Sequence, residues 1–403
     1  MKRRVVITGM GIISAHGTGI EDNWLNVAEG RSGIKEIESF DSSRYRGCSG
    51  GEAAGFTDTH LDRLKNKRLD RASLLLIHAV REALSKADII NSINDEDIIL
   101  SLGTTLGGML SGQMFHQEAV KKGIDKARVS LVSDYLAHYQ PVNIFREFDL
   151  RGDTIMFSDA CASGANAIGY AYRCIGNGEH NTAVCGGYDT MSEFTFAGFN
   201  SLMAVSPAMC RPFDINRDGL VLGEGAGILV LEELRSALGR NANIFAEIIG
   251  YGKSSDAYHM TSPDPSGRQA SNAISSALKD AGNPDIDYIN AHGTGTKFND
   301  AMETAAITHS FGDRAVSIPV SSVKPMIGHI LGGAGAVEGI ISILSIINKT
   351  LPPNLNYNTP DPDCGLNIVR ETSSHEIKTA LSNSFGFGGS NASLIFREYP
   401  CKI

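Results

Sequence analysis

No two of the seven cysteines, at positions 48, 161, 174, 185, 210, 364 and 401, form a CxxC pair, and their number is odd. That spacing argues against a disulfide framework and a cysteine-built zinc site, so no metal is expected and a reducing compartment is. No apolar run is long enough to cross a bilayer; the most apolar late stretch, Gly339 to Ile347, is far too short. The N-terminus starts with Lys2, Arg3 and Arg4 but runs into a short strand and glycines, without an apolar h-region or a small-residue cleavage site. Secretion and membrane insertion are therefore not expected, and the expected location is cytoplasmic. Positive charge is in deficit, 36 Lys and Arg against 45 Asp and Glu, for a net charge of −9. Nucleic acid is not expected as a partner, because phosphate binding needs a concentrated basic surface. A low-complexity linker is also missing, which favours one compact unit.

What is present is a 403-residue chain with 42% hydrophobic content, enough to bury a large core. Strands and helices alternate in two passes, the pattern of a layered α/β fold. The first pass opens with a strand over Arg4 to Gly9. A helix over Arg71 to Ala87, a strand over Asp97 to Leu102 and the glycine loop Gly103 to Gly108 follow. A short buried strand, Asp153 to Phe157, then leads to Cys161. The second pass starts near Asn243, and the halves divide as residues 1–240 and 241–403. Element order alone suggests the duplication.

Cys161 sits in Ser158-Asp159-Ala160-Cys161-Ala162-Ser163-Gly164-Ala165, between that strand and a small-residue helix running from Ala162 to Ile175. A thiol opening a helix meets unpaired N–H groups and the positive end of the dipole, which favour thiolate. Free cysteines are also among the most buried residues, so a purely structural role competes.

Three places in the second half carry chemistry. Tyr288 to Thr296 is a strand that delivers His292 into a Gly/Thr loop, where threonine hydroxyls can bind an amide-rich arm. Asp300 and Glu303 just after it read as a helix-capping pair. Ser321 to Glu338 places Lys324, His329 and Glu338 at a strand end and helix start, and a buried Lys324 needs a carboxylate such as Glu338. Asn383-Ser384-Phe385-Gly386-Phe387-Gly388-Gly389-Ser390-Asn391 lies between a strand ending at Leu381 and a last strand, Ala392 to Phe396; glycines this dense bring backbone close to something.

Together these stretches resemble the β-ketoacyl-[acyl-carrier-protein] synthases, the elongating type II enzymes of fatty-acid synthesis and their polyketide relatives. Val5 to Gly11, Arg211 to Asp214, Asp218-Gly219, Gly223 to Gly227 and Ser254 to Thr261 match in order with the motifs above, so essentially the whole chain is covered. The resemblance implies a thiolase-like five-layered α-β-α-β-α fold of two similar halves, and a homodimer. It implies that Cys161 carries the acyl chain, with the N–H groups of Cys161 and Phe387 as oxyanion hole. His292 and His329 would stabilise an enolate, and Lys324 and Glu338 would organise the network around His329. Thr294 and Thr296 would bind the phosphopantetheine arm, and Phe387, Gly388 and Asp256 would gate the pocket. Cofactors are not implied beyond the acyl-carrier protein that bears the substrates.

Related functions separate at named residues. A degradative thiolase would carry a second cysteine in the Phe387 loop, and a starter-type synthase an asparagine at His329. A chain-length-factor subunit would lack Cys161. A cysteine hydrolase would not need His329, Lys324 and the threonine loop together. Arg63, Lys65, Lys67, Arg68 and Arg71 fall within nine residues, and Lys65, Lys67 and Arg68 are the expected docking patch for an acidic carrier protein. The segment Met191 to Asn200 resembles polyketide ketosynthases as much as housekeeping enzymes, so a specialised polyene or unusual-lipid pathway stands beside ordinary chain elongation.

Overall fold

The computed structural model describes residues 2–56, 61–65, 67–90 and 98–399. The first half contains β1 (Val5–Ser14), α1 (Arg71–Lys86), β2 (Ile98–Gly103), β3 (Gly152–Phe157), α2 (Ser163–Asn177), β4 (Thr182–Asp189) and β5 (Gly225–Glu233). The second contains β6 (Ala246–Ser255), α3 (Arg268–Asp280), β7 (Tyr288–Asn290), α4 (Lys297–Phe311), β8 (Pro319–Ser321), α5 (Ala334–Asn348), β9 (Asn367–Ile368), β10 (Thr379–Phe385) and β11 (Ser390–Arg397).

The strands run β9-β8-β7-β10-β11-β6-β1-β5-β4-β2-β3 in one continuous sheet. Pairing is parallel toward both ends and antiparallel through the middle, so the second half repeats the pattern of the first. The half-sheets join where Val5, Val6 and Ile7 of β1 meet Ile248, Glu247 and Ala246 of β6.

Alternation along the strands builds the layers. In β5, Leu229 and Leu231 pack inward with residues of α2 and α5, whereas Ile228 and Val230 pack outward with α1. In β11, Leu394 and Phe396 face that same central layer, and Ile395 faces Ile274 of α3 and Ile307 of α4. The result is α1, sheet, α2 with α5, sheet, α3 with α4: the five layers. α5 is buried from Ala334 to Ile346, so it is apolar over most of its surface, with Glu338 as its one charged residue. The window Leu331–Asn348 is apolar enough to cross a membrane, but 89% of it is buried inside the fold.

Several boundaries differ from the sequence reading. β1 runs five residues beyond Gly9, because its glycines serve contact rather than a turn: a Cβ at Gly9 or Gly11 would lie 2.1 or 2.0 Å from a carbonyl oxygen of α1. β10 continues to Phe385, so Asn383 to Phe385 are strand and the glycine loop is shorter than expected. β3 is not buried; Gly152, Asp153 and Thr154 are exposed at the sheet edge, and only the last three residues are half-covered. Asp97, placed in a strand above, lies outside the described residues.

Candidate active site

Cys161 lies in a 3₁₀ turn, Ala160–Ala162, that precedes α2. Ala160 takes a left-handed conformation at φ 54°, uncommon for a residue with a side chain, and this bends the chain sharply enough to present the thiol. The bend is braced: Ser163 Oγ accepts from Asp159 N at 2.9 Å and donates to the Ala160 carbonyl at 2.6 Å. Small residues let the starts of α2 and α5 meet. A Cβ at Gly164 would lie 2.7 Å from the Gly332 carbonyl, and one at Gly335 would lie 2.9 Å from Ala165 Cβ. This contact sets the nucleophile turn beside His329.

His329 Nε2 is 3.1 Å from Cys161 Sγ, and its Nδ1 accepts the Leu331 N–H at 3.3 Å. A ring whose Nδ1 accepts must carry its proton on Nε2, so His329 aims a donor at sulfur. The main chain of His329 is fixed as well, with its N–H on Val221 and its carbonyl taking the N–H of Gly223.

His292 follows β7, and its ring stands edge-on to His329 with centroids 5.3 Å apart. Lys324 Nζ lies 3.4 Å from His292 Nδ1 and is ion-paired with Glu338 of α5. Lys324 and Glu338 therefore brace His292, not His329 as the sequence reading had it. The reason is topological: β7 and β8 are paired neighbours, so residues just beyond their ends stand side by side. Both rings are driven well below the ordinary histidine range, first by burial and then by the Lys324 charge, and are neutral.

Burial likewise dominates at the thiol. Cys161 is pushed up to about 12, although the Lys324 charge and the Phe387 N–H draw it back. The helix start does not by itself yield a resting thiolate; desolvation outweighs it.

Cys161, His292, His329, Thr294, Thr296, Phe387, Gly388 and Asp256 line one cavity of about 380 Å³. Thr294 and Thr296 hydroxyls are 2.9 Å apart in its wall. Phe387 stacks on Phe199 at 5.7 Å between centroids, and its N–H reaches Cys161. The loop after it is tied to the Asp256 segment, since Asp256 N donates to the Gly389 carbonyl and Gly388 N to the Met260 carbonyl. The donor atoms of Cys161, His292 and His329 lie within 4.8 Å of one another, close enough to suggest a metal. Their chemistry does not fit one, because each ring's Nδ1 is engaged and its protonated Nε2 offers no lone pair.

Lys65, Lys67 and Arg68 are exposed but line no part of this cavity. Their neighbours are committed: Arg63 pairs with Asp149, and Arg71 with the buried Glu224.

The sequence reading misassigned two carboxylates and missed a third. Glu303 is not a cap; it accepts the N–H groups of His292 and Gly293, both at 2.8 Å, and fixes the histidine loop. Asp300 accepts from Phe213 N at 2.8 Å, and Thr296 caps α4 instead. Asp189, fully buried, takes Thr104 Oγ1 at 2.6 Å and the N–H groups of Thr105, Leu106 and Gly332, joining the first glycine loop to the turn after His329. No local pattern marks these residues, since their partners come from distant segments.

The site is thus a sharply bent cysteine flanked by two neutral histidine donors, set on two fused α/β half-sheets. Residues 2–237 match the β-ketoacyl synthase N-terminal domain and residues 245–358 its C-terminal domain. The chain is 41% identical to a 3-oxoacyl-[acyl-carrier-protein] synthase 2 of Synechocystis, over 99% of both chains. It is 39% identical to the protein of that name from Staphylococcus aureus, covering 98% of this chain and 99% of that one. Among solved structures, "The ishigamide ketosynthase/chain length factor" superposes with a TM-score of 0.94 at 36% identity, over 99% of this chain and 100% of that one. A β-ketoacyl synthase from Burkholderia phymatum gives 0.92 at 35%, with the same coverage. The chain belongs to the β-ketoacyl synthase family.

Proposed function

We propose that this protein is a 3-oxoacyl-[acyl-carrier-protein] synthase that extends an acyl chain by two carbons through decarboxylative condensation. The observation that carries the reading is the 3.1 Å approach of a proton-bearing His329 Nε2 to Cys161 Sγ, with the neutral His292 beside it. In the first step Cys161 attacks the thioester of an acyl-carrier protein. The acyl–Sγ bond forms, the bond to the pantetheine sulfur breaks, and the thiol proton leaves with that sulfur. The N–H groups of Cys161 and Phe387 hold the oxyanion.

In the second step malonyl-carrier protein enters. Its carboxylate departs as carbon dioxide, and the electron pair left behind forms an enolate whose oxygen receives the two Nε2–H donors. The enolate carbon attacks the acyl-cysteine and expels Cys161 as thiolate, which takes up a proton from solvent to restore the thiol. Neutral donors suit this work, since an imidazolium would protonate the carbanion. Lys324 and Glu338 hold His292 in its donor form, Thr294 and Thr296 bind the pantetheine arm, and Phe387, Gly388 and Asp256 gate the acyl pocket. The chemistry calls on no cofactor beyond the carrier-borne substrates.

The exposed β3 edge and the exposed apolar residues Val120, Ile124, Val129, Tyr135 and Leu136 support a homodimer. The six described cysteines are free, in keeping with a reducing cytoplasm. Lys65, Lys67 and Arg68 serve carrier docking, and reversing charge at Lys67 and Arg68 should raise KM for acyl-carrier protein.

Intact-mass analysis after incubation with acyl-carrier protein tests the reading. An acyl adduct on Cys161, chased by malonyl-carrier protein to a 3-oxoacyl product, is expected; no adduct sinks it. The likeness to the ishigamide ketosynthase favours a second reading, a specialised pathway in place of housekeeping elongation. Acyl primers graded in length and unsaturation separate the two, because a housekeeping enzyme must accept long saturated chains.

A further inference from the structure

Arg46 shares the wall of the Cys161 cavity with Lys297, Phe298 and Met203, all four exposed, so these residues form its mouth. The Arg46 guanidinium makes only long bonds to main-chain carbonyls, Met203 at 3.3 Å and Asp218 at 3.5 Å. It makes no ion pair with a carboxylate among the described residues, whereas Arg44, two residues earlier, pairs with Glu193. Lys297 is likewise unpaired among the described residues and opens α4, where the helix dipole opposes a cation. Arg217 and Asp218 link the two: Arg217 donates to the Lys297 carbonyl at 3.2 Å, and the Asp218 carbonyl receives Arg46. The carboxylates in the wall keep their charge but turn to neutral partners, Asp218 to the Ser206 hydroxyl at 2.6 Å and Asp256 to the Asn391 amide at 2.6 Å. Two cations with no ion pair among the described residues thus stand at the entrance of a cavity in a chain of net charge −9.

We propose that Arg46 and Lys297 bind the phosphate of a phosphopantetheine thioester while its sulfur end reaches Cys161. The proposal rests on the reading of this cavity as the port for a carrier-borne thioester. A phosphate is too costly to desolvate inside the cavity, so it stays at the mouth, where a guanidinium matches its geometry. The phosphate can come from two sources, the phosphodiester of a carrier protein or the phosphates of coenzyme A.

The test compares acylation of Cys161 by acyl-pantetheine and by acyl-4′-phosphopantetheine. Wild type should favour the phosphorylated thioester by roughly tenfold in kcat/KM, a typical worth for a charge-assisted contact. Arg46→Ala should bring the ratio close to one, Lys297→Ala should lower it, and Arg46→Lys should keep part of it, which guards against a folding artefact. An equal ratio in wild type and Arg46→Ala, or no preference in wild type, overturns the assignment while leaving the condensation reading intact. If neither thioester acylates wild-type Cys161, the phosphate assignment falls, whereas the condensation reading falls only if acyl-carrier protein also leaves no adduct. Acyl-carrier protein and acyl-coenzyme A then identify the source: the substrate that loses rate in Arg46→Ala is the one whose phosphate is bound.

Discussion

Lys324 Nζ stands 3.4 Å from His292 Nδ1, and by occupying that nitrogen it leaves the ring's proton on Nε2, facing the cavity. A residue with no contact to the thiol thus controls what the site can donate. Lys324→Met should slow condensation about a hundredfold, the scale of losing one donor to a developing oxyanion. Acylation of Cys161, followed separately by mass, should change much less.

The carboxyl of Glu338 is pushed up to about 7 by burial, against the pull of Lys324. A carboxyl raised in this way contributes stability below its ordinary value of 4.5 and loses it as pH rises to about 7. Glu338→Gln removes that loss. Urea denaturation should show the stability of Glu338→Gln relative to wild type rising between those pH values, by on the order of 3 kcal/mol.

Cys161, held neutral by burial, should show no plateau in reactivity at pH 8 or 9. Because its ionisation lies near 12, iodoacetamide should alkylate it about tenfold faster for each pH unit between 7 and 9. A plateau near 8 would mean that the thiolate is the resting form.

His329→Ala removes the donor 3.1 Å from sulfur without opening the Lys324–His292 contact. Carbon dioxide release from malonyl-carrier protein should fall by about 10² to 10³. The fold should survive, as read by an unchanged melting curve within a few degrees.

Gly103 ends β2 against the first turn of α2, where an added Cβ would lie 2.3 Å from the Ser163 carbonyl carbon. Backbone cannot yield there without moving Cys161. Gly103→Ala should therefore abolish acylation and lower the melting temperature, whereas alanine at the exposed Gly198, which has open space around it, should do neither.

The layered fold was legible in the sequence because strand alternation and the largely apolar α5 reflect burial directly. Cys161, His292, His329 and the Phe387 loop stood out because their surroundings are so rich in glycine and small residues. Their braces did not. Glu303 looked like a cap since its partners, the N–H groups of His292 and Gly293, lie in a separate loop before α4. Asp189 drew no attention at all, although it ties together loops from residues 104 and 332. A carboxylate that works by accepting main-chain N–H groups leaves no mark in its own neighbourhood. The exposure of β3 was equally hidden, because its residue types suit a buried strand as well as an edge.

The junction of the half-sheets spans three residue pairs, and the segment joining β5 to β6 passes over the surface at Asn241 and Asn243, both exposed. Cys161 comes from one side of this seam and both histidines from the other. A chain opened at that surface turn would be a two-part switch: neither fragment could carry out the condensation alone, and activity would report that the two had found each other.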